Sequence, residues 1–166
     1  MMSAVGHLDD SIRLMLNAGE LLALSSDAGW LDADREHREV LVVELDQHAT
    51  TEQVAQLQPW LNSLPIPVIG FGRQGVSPLE IGVDLVVSLP AELDLAIANI
   101  EKNPQASAVL VQVLRGSESL DVMQALTLES LGYATLQAGP EFATWLASRR
   151  AVHAARLVES RDDMVL

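Results

Sequence analysis

Residues 39–46 read Glu-Val-Leu-Val-Val-Glu-Leu-Asp, and no other stretch limits the fold of this chain so sharply. Val40, Leu41, Val42, Val43 and Leu45 are nearly continuous. In a strand, successive side chains point to opposite faces, so such a run needs apolar cover on both sides. Parallel sheets meet that condition, and their strands are joined by crossovers that are usually helical. The next residues supply such a crossover. Thr50 and Gln53 stand at capping-box spacing, and Val54, Leu57, Leu61 and Leu64 recur at helical spacing. Pro59 predicts a kink in that helix, Pro65 and Pro67 end it, and Val68-Ile69-Gly70-Phe71 opens a second buried strand. The pattern is strand, helix, strand, and the fold class it predicts is α/β.

The flanks extend this unit. Ile12 to Ser25 carries two apolar runs around Asn17-Ala18-Gly19, which is turn chemistry and reads as a β-hairpin. Asp27 to Arg38 reads as a loop or a ragged helical turn. Gly72 to Gly82 is a glycine-rich loop, and Val83 to Val87 a third short strand. From Pro90 the spacing turns helical. Leu93, Ala96, Ile97 and Ile100 form one stripe, and Asn103-Pro104 starts the next helix. A long helix follows from about Leu120 to Gln137, and Pro140 opens a last one carrying Phe142, Trp145 and Leu146. The expected organisation is a core of about five strands over residues 1–89, a helical region over 90–155 and a frayed tail over 156–166. The last helices carry a heavy apolar load for so small a sheet, in Val109, Leu110, Val113, Leu126, Leu131, Tyr133, Phe142 and Trp145. That load points to a homo-oligomer.

Composition removes several function classes. The chain has no cysteine, which excludes disulfides, thiolate metal sites and a cysteine nucleophile. Ten basic residues stand against 23 acidic ones, for a net charge of −13, and Lys102 is the only lysine. Nucleic-acid binding needs a cationic stripe, and anionic lipid surfaces repel such a chain. No nucleic acid or membrane partner is therefore expected, and MMSAVGHLDD has neither the apolar run nor the basic flank of a signal peptide. The expected location is the cytoplasm. His7, His37, His48 and His153 share no ligand spacing, so no metal site is expected. Gly70, Gly72 and Gly75 lack the order of a dinucleotide fingerprint.

Taken in order, several segments resemble the crotonase (enoyl-CoA hydratase/isomerase) superfamily. Glu39 to Asp46 is similar to the strand before that family's acyl-binding loop. Leu64 to Gly72 resembles its KPVIAAVNG strand, and Gly75 to Val87 its GGGLELALACDLRIA segment. Asn103-Pro104, Glu129-Ser130, Gly139-Pro140-Glu141-Phe142 and Arg149-Arg150 follow the order of its C-terminal helices. The resemblance implies an abbreviated crotonase-like ββα core with a C-terminal helical subdomain. It also implies a coenzyme A thioester as ligand, with no resident cofactor, and a trimer or a partnership with a full-length relative.

The departures fall on that family's chemistry, the stabilisation of a thioester enolate by two convergent backbone N–H groups. Gln47-His48-Ala49 leads straight towards a helix where the family has its first oxyanion-hole loop. The glycine pair of the second donor reads Gly75-Val76, a remnant of that site. Leu89-Pro90 passes directly into the helical region, without the stretch that carries the catalytic glutamates. Glu80 is the one carboxylate left in the glycine loop and the weak candidate for a base, against a plain solvated loop acid. Arg149 and Arg150, with Arg156, are candidates for a coenzyme A phosphate, although cations near a helix C-terminus also offset the macrodipole. His48 follows a buried strand, where α/β sheets bind ligands, but reads first as an exposed histidine at a helix entry.

The expectation is a pseudoenzyme acting as a binding or assembly module. The alternatives are an active hydratase or isomerase with relocated acids, and an anti-sigma-antagonist-like signalling module using Thr50 or Thr51. The second alternative sits badly with the long helical tail.

Overall fold

The computed structural model describes residues 15–27, 39–46 and 48–150. Two compact units divide the chain, residues 1–101 and 102–166. The first is built on a four-stranded parallel sheet: β1 (Met15–Leu16), β2 (Leu41–Glu44), β3 (Val68–Phe71) and β4 (Leu85–Val87), adjacent in that order. Met15 pairs with Val42, Leu41 with Val68, and Ile69 with Leu85. Helix α1 (Ala18–Ser25) follows β1, α2 (Thr51–Ser63) joins β2 to β3, and a 3-10 turn at Pro78–Gly82 precedes β4.

Both faces of the sheet are covered, which is why β2 has almost no polar positions. Leu41, Val43, Leu45 and Val68 face Leu21 of α1, Leu57 and Leu61 of α2, and Leu79 of the 3-10 turn. Val42, Ile69 and Val87 face Leu93 and Ile97 of α3 (Pro90–Lys102) on the other side. That second layer places α3 with the sheet unit. The two compact units meet at the junction of Glu101 and Lys102.

Glycines set the closest approaches. A Cβ on Gly82 would lie 2.9 Å from Leu61 Cδ1, so α2 rests directly on the 3-10 turn. A Cβ on Gly72 would lie 2.8 Å from Leu45 Cβ, a backbone-anchored atom with little room to yield.

Two readings of the sequence are corrected. The expected hairpin over Ile12 to Ser25 is a short strand followed by a helix, as far as residues 15–25 are described; 12–14 lie outside the described residues. Asn17 is the N-cap of α1. Its Oδ1 accepts the N–H groups of Gly19 at 2.9 Å and Glu20 at 3.1 Å, and Glu20 returns a carboxylate to the Asn17 N–H at 2.9 Å. Asparagine serves turns and helix starts alike, and the glutamate three residues on decides for the helix. The expected five strands are four among the described residues. By contrast, the capping box of Thr50 and Gln53 forms as expected, and α2 runs through Pro59 as one element. Most of the loop expected over Asp27 to Arg38, and the tail expected to fray over 156–166, lie outside the described residues.

The second unit contains α4 (Pro104–Ser117), α5 (Val122–Gln137) and α6 (140–150). Helices α4 and α5 are antiparallel. A Cβ on Gly132 would lie 2.8 Å from Val113, one on Gly116 would lie 2.9 Å from Leu128, and Gly139 sits against Gln105. Asn103 gives α4 no side-chain cap. Glu141 supplies it from α6, with Oε1 accepting the Gln105 N–H at 2.6 Å and Oε2 the Ala106 N–H at 2.9 Å. A carboxylate at a helix N-terminus satisfies orphan donors and offsets the positive end of the helix dipole.

Leu61 is fully buried, between the sheet and the 3-10 turn. Leu61→Ala should cost about 2–5 kcal/mol in chemical denaturation, through lost burial plus the cavity left behind. Glu141→Ala orphans two N–H groups at once. It should lower stability by about 1–3 kcal/mol, detectable as a lower melting temperature of the helical signal in circular dichroism.

Candidate functional site

The glycine loop after β3 is anchored where it starts, on both sides of the Gly72 peptide. The Gly72 N–H donates to Val87 O at 2.9 Å, and the Ser88 hydroxyl donates to Gly72 O at 2.8 Å. Ser77 is buried; its hydroxyl donates to Asp46 O at 2.7 Å and accepts the Leu79 N–H at 3.3 Å. One serine thus ties the loop to the end of β2 and caps the 3-10 turn.

Within that frame Gly75 adopts a left-handed backbone, with φ +78°. The turn it makes directs successive N–H groups to one point, a geometry suited to an anion. The anion there belongs to the chain. Glu80 Oε1 accepts the N–H of Val76 at 3.1 Å and of Ser77 at 3.3 Å. The Gly75 N–H acts most strongly on the same carboxylate, and with Val76 and Ser77 it holds Glu80 below the usual carboxylate range against a smaller opposing effect of burial. Glu80 is therefore ionised and engaged as the partner of the Ser77 capping box. A base of lowered pKa that already accepts backbone N–H groups is poorly placed to abstract a proton.

The other singled-out residues are dispersed. Gly75, Val76 and Glu80 come together in the sheet unit, whereas Arg149 and Arg150 belong to the helical unit. Arg149 lies over the indole of Trp145, 5.2 Å from the ring centre, and Trp145 stacks on Phe142 at 5.5 Å. Arg149 is thus drawn into a cation–π contact within its own helix. Thr50 Oγ1 accepts the Gln53 N–H at 3.2 Å and serves as a helix cap. His7, His37, His153 and Arg156 lie outside the described residues. Among the described residues, no group of three or more His, Asp or Glu side chains is arranged to hold a metal ion, and no helix is long and apolar enough to cross a membrane.

A second concavity, absent from the sequence reading apart from His48, opens at the carboxyl ends of β1 and β2. It encloses about 290 Å³ and is lined by Asn17, Glu44, Asp46, His48 and Gln53 among others. Its polar groups largely serve the fold: Asp46 Oδ1 accepts the His48 N–H at 2.8 Å, and Asn17 and Gln53 belong to capping boxes.

The Glu80 contacts give a pH signature. A depressed folded pKa contributes stability that is present above the unfolded value, near 4.5, and is lost as pH falls through the folded value. Glu80→Gln should accordingly melt a few degrees below the parent at neutral pH, and the two melting curves should converge as the medium is acidified below pH 4.5. A gap that stayed constant with pH would place the effect in packing and not in the carboxylate charge. No family model, curated protein or solved structure matches this chain.

Proposed function

We propose that this chain is an abbreviated, crotonase-like protein that has given up catalysis and serves as a binding or assembly module. The observation that carries the reading is the Glu80 carboxylate lying across the N–H groups of Val76 and Ser77, with Gly75 beside them. By the crotonase resemblance, Gly75 and Val76 stand where the second oxyanion donor belongs. A thioester oxyanion bound there would have to displace a carboxylate held by the chain itself. The first donor loop has no counterpart in the short path from Leu45 to Thr50, which closes through hydrogen bonds from the Asp46 N–H to Glu44 O and from the Ala49 N–H to Asp46 O. Losing one oxyanion donor costs about 10²–10³ in rate, and this chain retains neither donor free in this reading.

Support from the fold is coarser. Parallel strands with helical crossovers and a glycine loop between β3 and β4 suit a crotonase-like core, as they suit other α/β folds. In this reading the protein works in the cytoplasm, and any coenzyme A thioester would be a bound ligand and not a substrate. Arg149 and Arg150 are its proposed phosphate contacts.

Incubation with crotonyl-CoA and a panel of acyl-CoA thioesters, reading binding and turnover separately, tests the proposal. Turnover at the level of the uncatalysed reaction is expected. Hydration at ordinary enzyme rates, abolished by Glu80→Gln, would overturn it in favour of an active hydratase with relocated acids.

A further inference from the structure

The glycine loop repels the ligand that the functional reading assigns. Glu80 already sets a negative charge against its N–H groups. Among the described residues of the sheet unit, Arg73 is the only cation. Coenzyme A brings phosphates to any site it occupies, and an acidic surface opposes their approach. The other described cations, Lys102, Arg115, Arg149 and Arg150, all lie in the helical unit. That unit also holds an apolar groove of about 490 Å³, where the start of α4 meets the end of α5 and the start of α6. Ala108, Val109, Leu136 and Pro140 supply apolar walls, and Gln105 and Thr135 the polar side chains. The Thr135 hydroxyl is turned back to Leu131 O at 2.9 Å. A concavity of this size, mostly apolar with few polar groups, suits a small molecule. Pro140 lies at the groove, and Arg149 stands farther along the same helix, about 14 Å away at ~1.5 Å of rise per residue. Phe142, Trp145 and Arg149 recur at helical spacing between the two. Trp145 is half exposed, stacks on Phe142 at 5.5 Å and carries the Arg149 guanidinium 5.2 Å from its ring centre.

We propose that this groove is the acyl subsite of a coenzyme A thioester whose phosphates pair with Arg149 and Arg150. The pantetheine arm runs along α6 past Trp145, and the acyl chain lies against Ala108, Val109 and Leu136. Three observations converge on that occupant. The distribution of charge directs an anionic ligand to the helical unit and away from the glycine loop. The apolar walls take the tail, since burying each methylene favours binding. The span of α6 separates tail from head, as the pantetheine arm separates a thioester from its phosphates. A free fatty acid fits less well, because its carboxylate stays close to the chain that fills the groove, and the groove is lined by no cation. The inference rests on the ligand half of the function proposed above, and it moves that ligand from the sheet unit to the helical unit.

Equilibrium dialysis of the full chain against coenzyme A, acetyl-CoA, hexanoyl-CoA and decanoyl-CoA reads the acyl contribution directly. Affinity should rise by on the order of tenfold or more from acetyl-CoA to decanoyl-CoA. Thr135→Phe, at an exposed position, and Ala108→Phe, at a partly covered one, each add a ring to the lining of the groove. Each should abolish that rise, leave binding of free coenzyme A unchanged and keep the helical circular-dichroism signal. Should Ala108→Phe fail to fold, Thr135→Phe carries the test. The double variant Arg149→Gln/Arg150→Gln should weaken every thioester about tenfold and preserve the dependence on chain length. Decanoate should bind at least about tenfold more weakly than decanoyl-CoA, for want of the same phosphate contacts. Affinity that ignores chain length, a rise that survives in folded Thr135→Phe, thioester binding indifferent to the arginine pair, decanoate binding as tight as that of decanoyl-CoA, or no binding of decanoyl-CoA would each overturn the inference. Turnover of crotonyl-CoA, with the groove variants still losing the chain-length dependence, would overturn the loss of catalysis and leave the acyl subsite standing.

Discussion

The two-sided burial of β2 is the constraint on which the sheet unit depends. Leu41, Val43 and Leu45 require α1, α2 and the 3-10 turn on one face, and Val42 requires α3 on the other. Neither layer is optional, because an exposed run of five apolar positions would itself be an aggregation site. This one demand brings the chain after β3 back over the sheet. The glycine loop must then pass close to Leu45, and Gly70 and Gly72 occupy the positions where a side chain would collide with it. The 3-10 turn settles under Leu61 for the same reason, with Gly82 as the point of contact. The conformation of the loop is therefore a consequence of core packing before it is a matter of chemistry.

That origin explains the electrostatics of the loop. A backbone turned through a left-handed Gly75 directs N–H groups to a common point, where one carboxylate can accept them together. In an enzyme, that acceptor is the oxyanion of a reacting substrate. Here Glu80 supplies it from within the same turn, so the donors are satisfied in the resting protein. Catalysis by preorganised donors requires that they wait unfilled for charge that appears only in the transition state. A permanent carboxylate in their midst makes this geometry a folding device.

Most of the sheet unit was legible in the sequence, because its signals are local and redundant. The apolar run at Val40 to Leu45, the Thr50–Gln53 capping box and the Val68 strand each report a single element, and the three agree. The β1–α1 junction was misread because Asn17-Ala18-Gly19 satisfies turn chemistry and helix capping equally. Glu20, three residues after Asn17, decides between them. Neither Ser77 bridging to Asp46 O, 31 residues away, nor Glu141 capping a helix that starts 37 residues earlier leaves a periodic trace. The Glu80 contacts lay within reach, since Ser77 and Glu80 are spaced as a capping box. What a reading of the loop as a catalytic remnant obscured is that a carboxylate three residues after a serine, at the start of a turn, is first of all a cap.

The helical unit presents the opposite case, where a clear pattern underdetermines structure. Periodicity in α4 and α5 predicts helices, and both form. Yet α5 has apolar residues on too much of its circumference for one neighbour to cover. A helix hairpin buries a single stripe on each member, here Ala125, Leu128, Gly132 and Leu136 against Val109 and Val113. Composition in excess of that stripe records contacts beyond those made within the hairpin. The sheet unit shows no such excess on β2 and β3, whose apolar positions are matched by cover from the same chain. Two units of one polypeptide thus obey one rule, that apolar surface must find a partner. The sheet satisfies it internally, and α5 leaves it open along much of its exposed circumference.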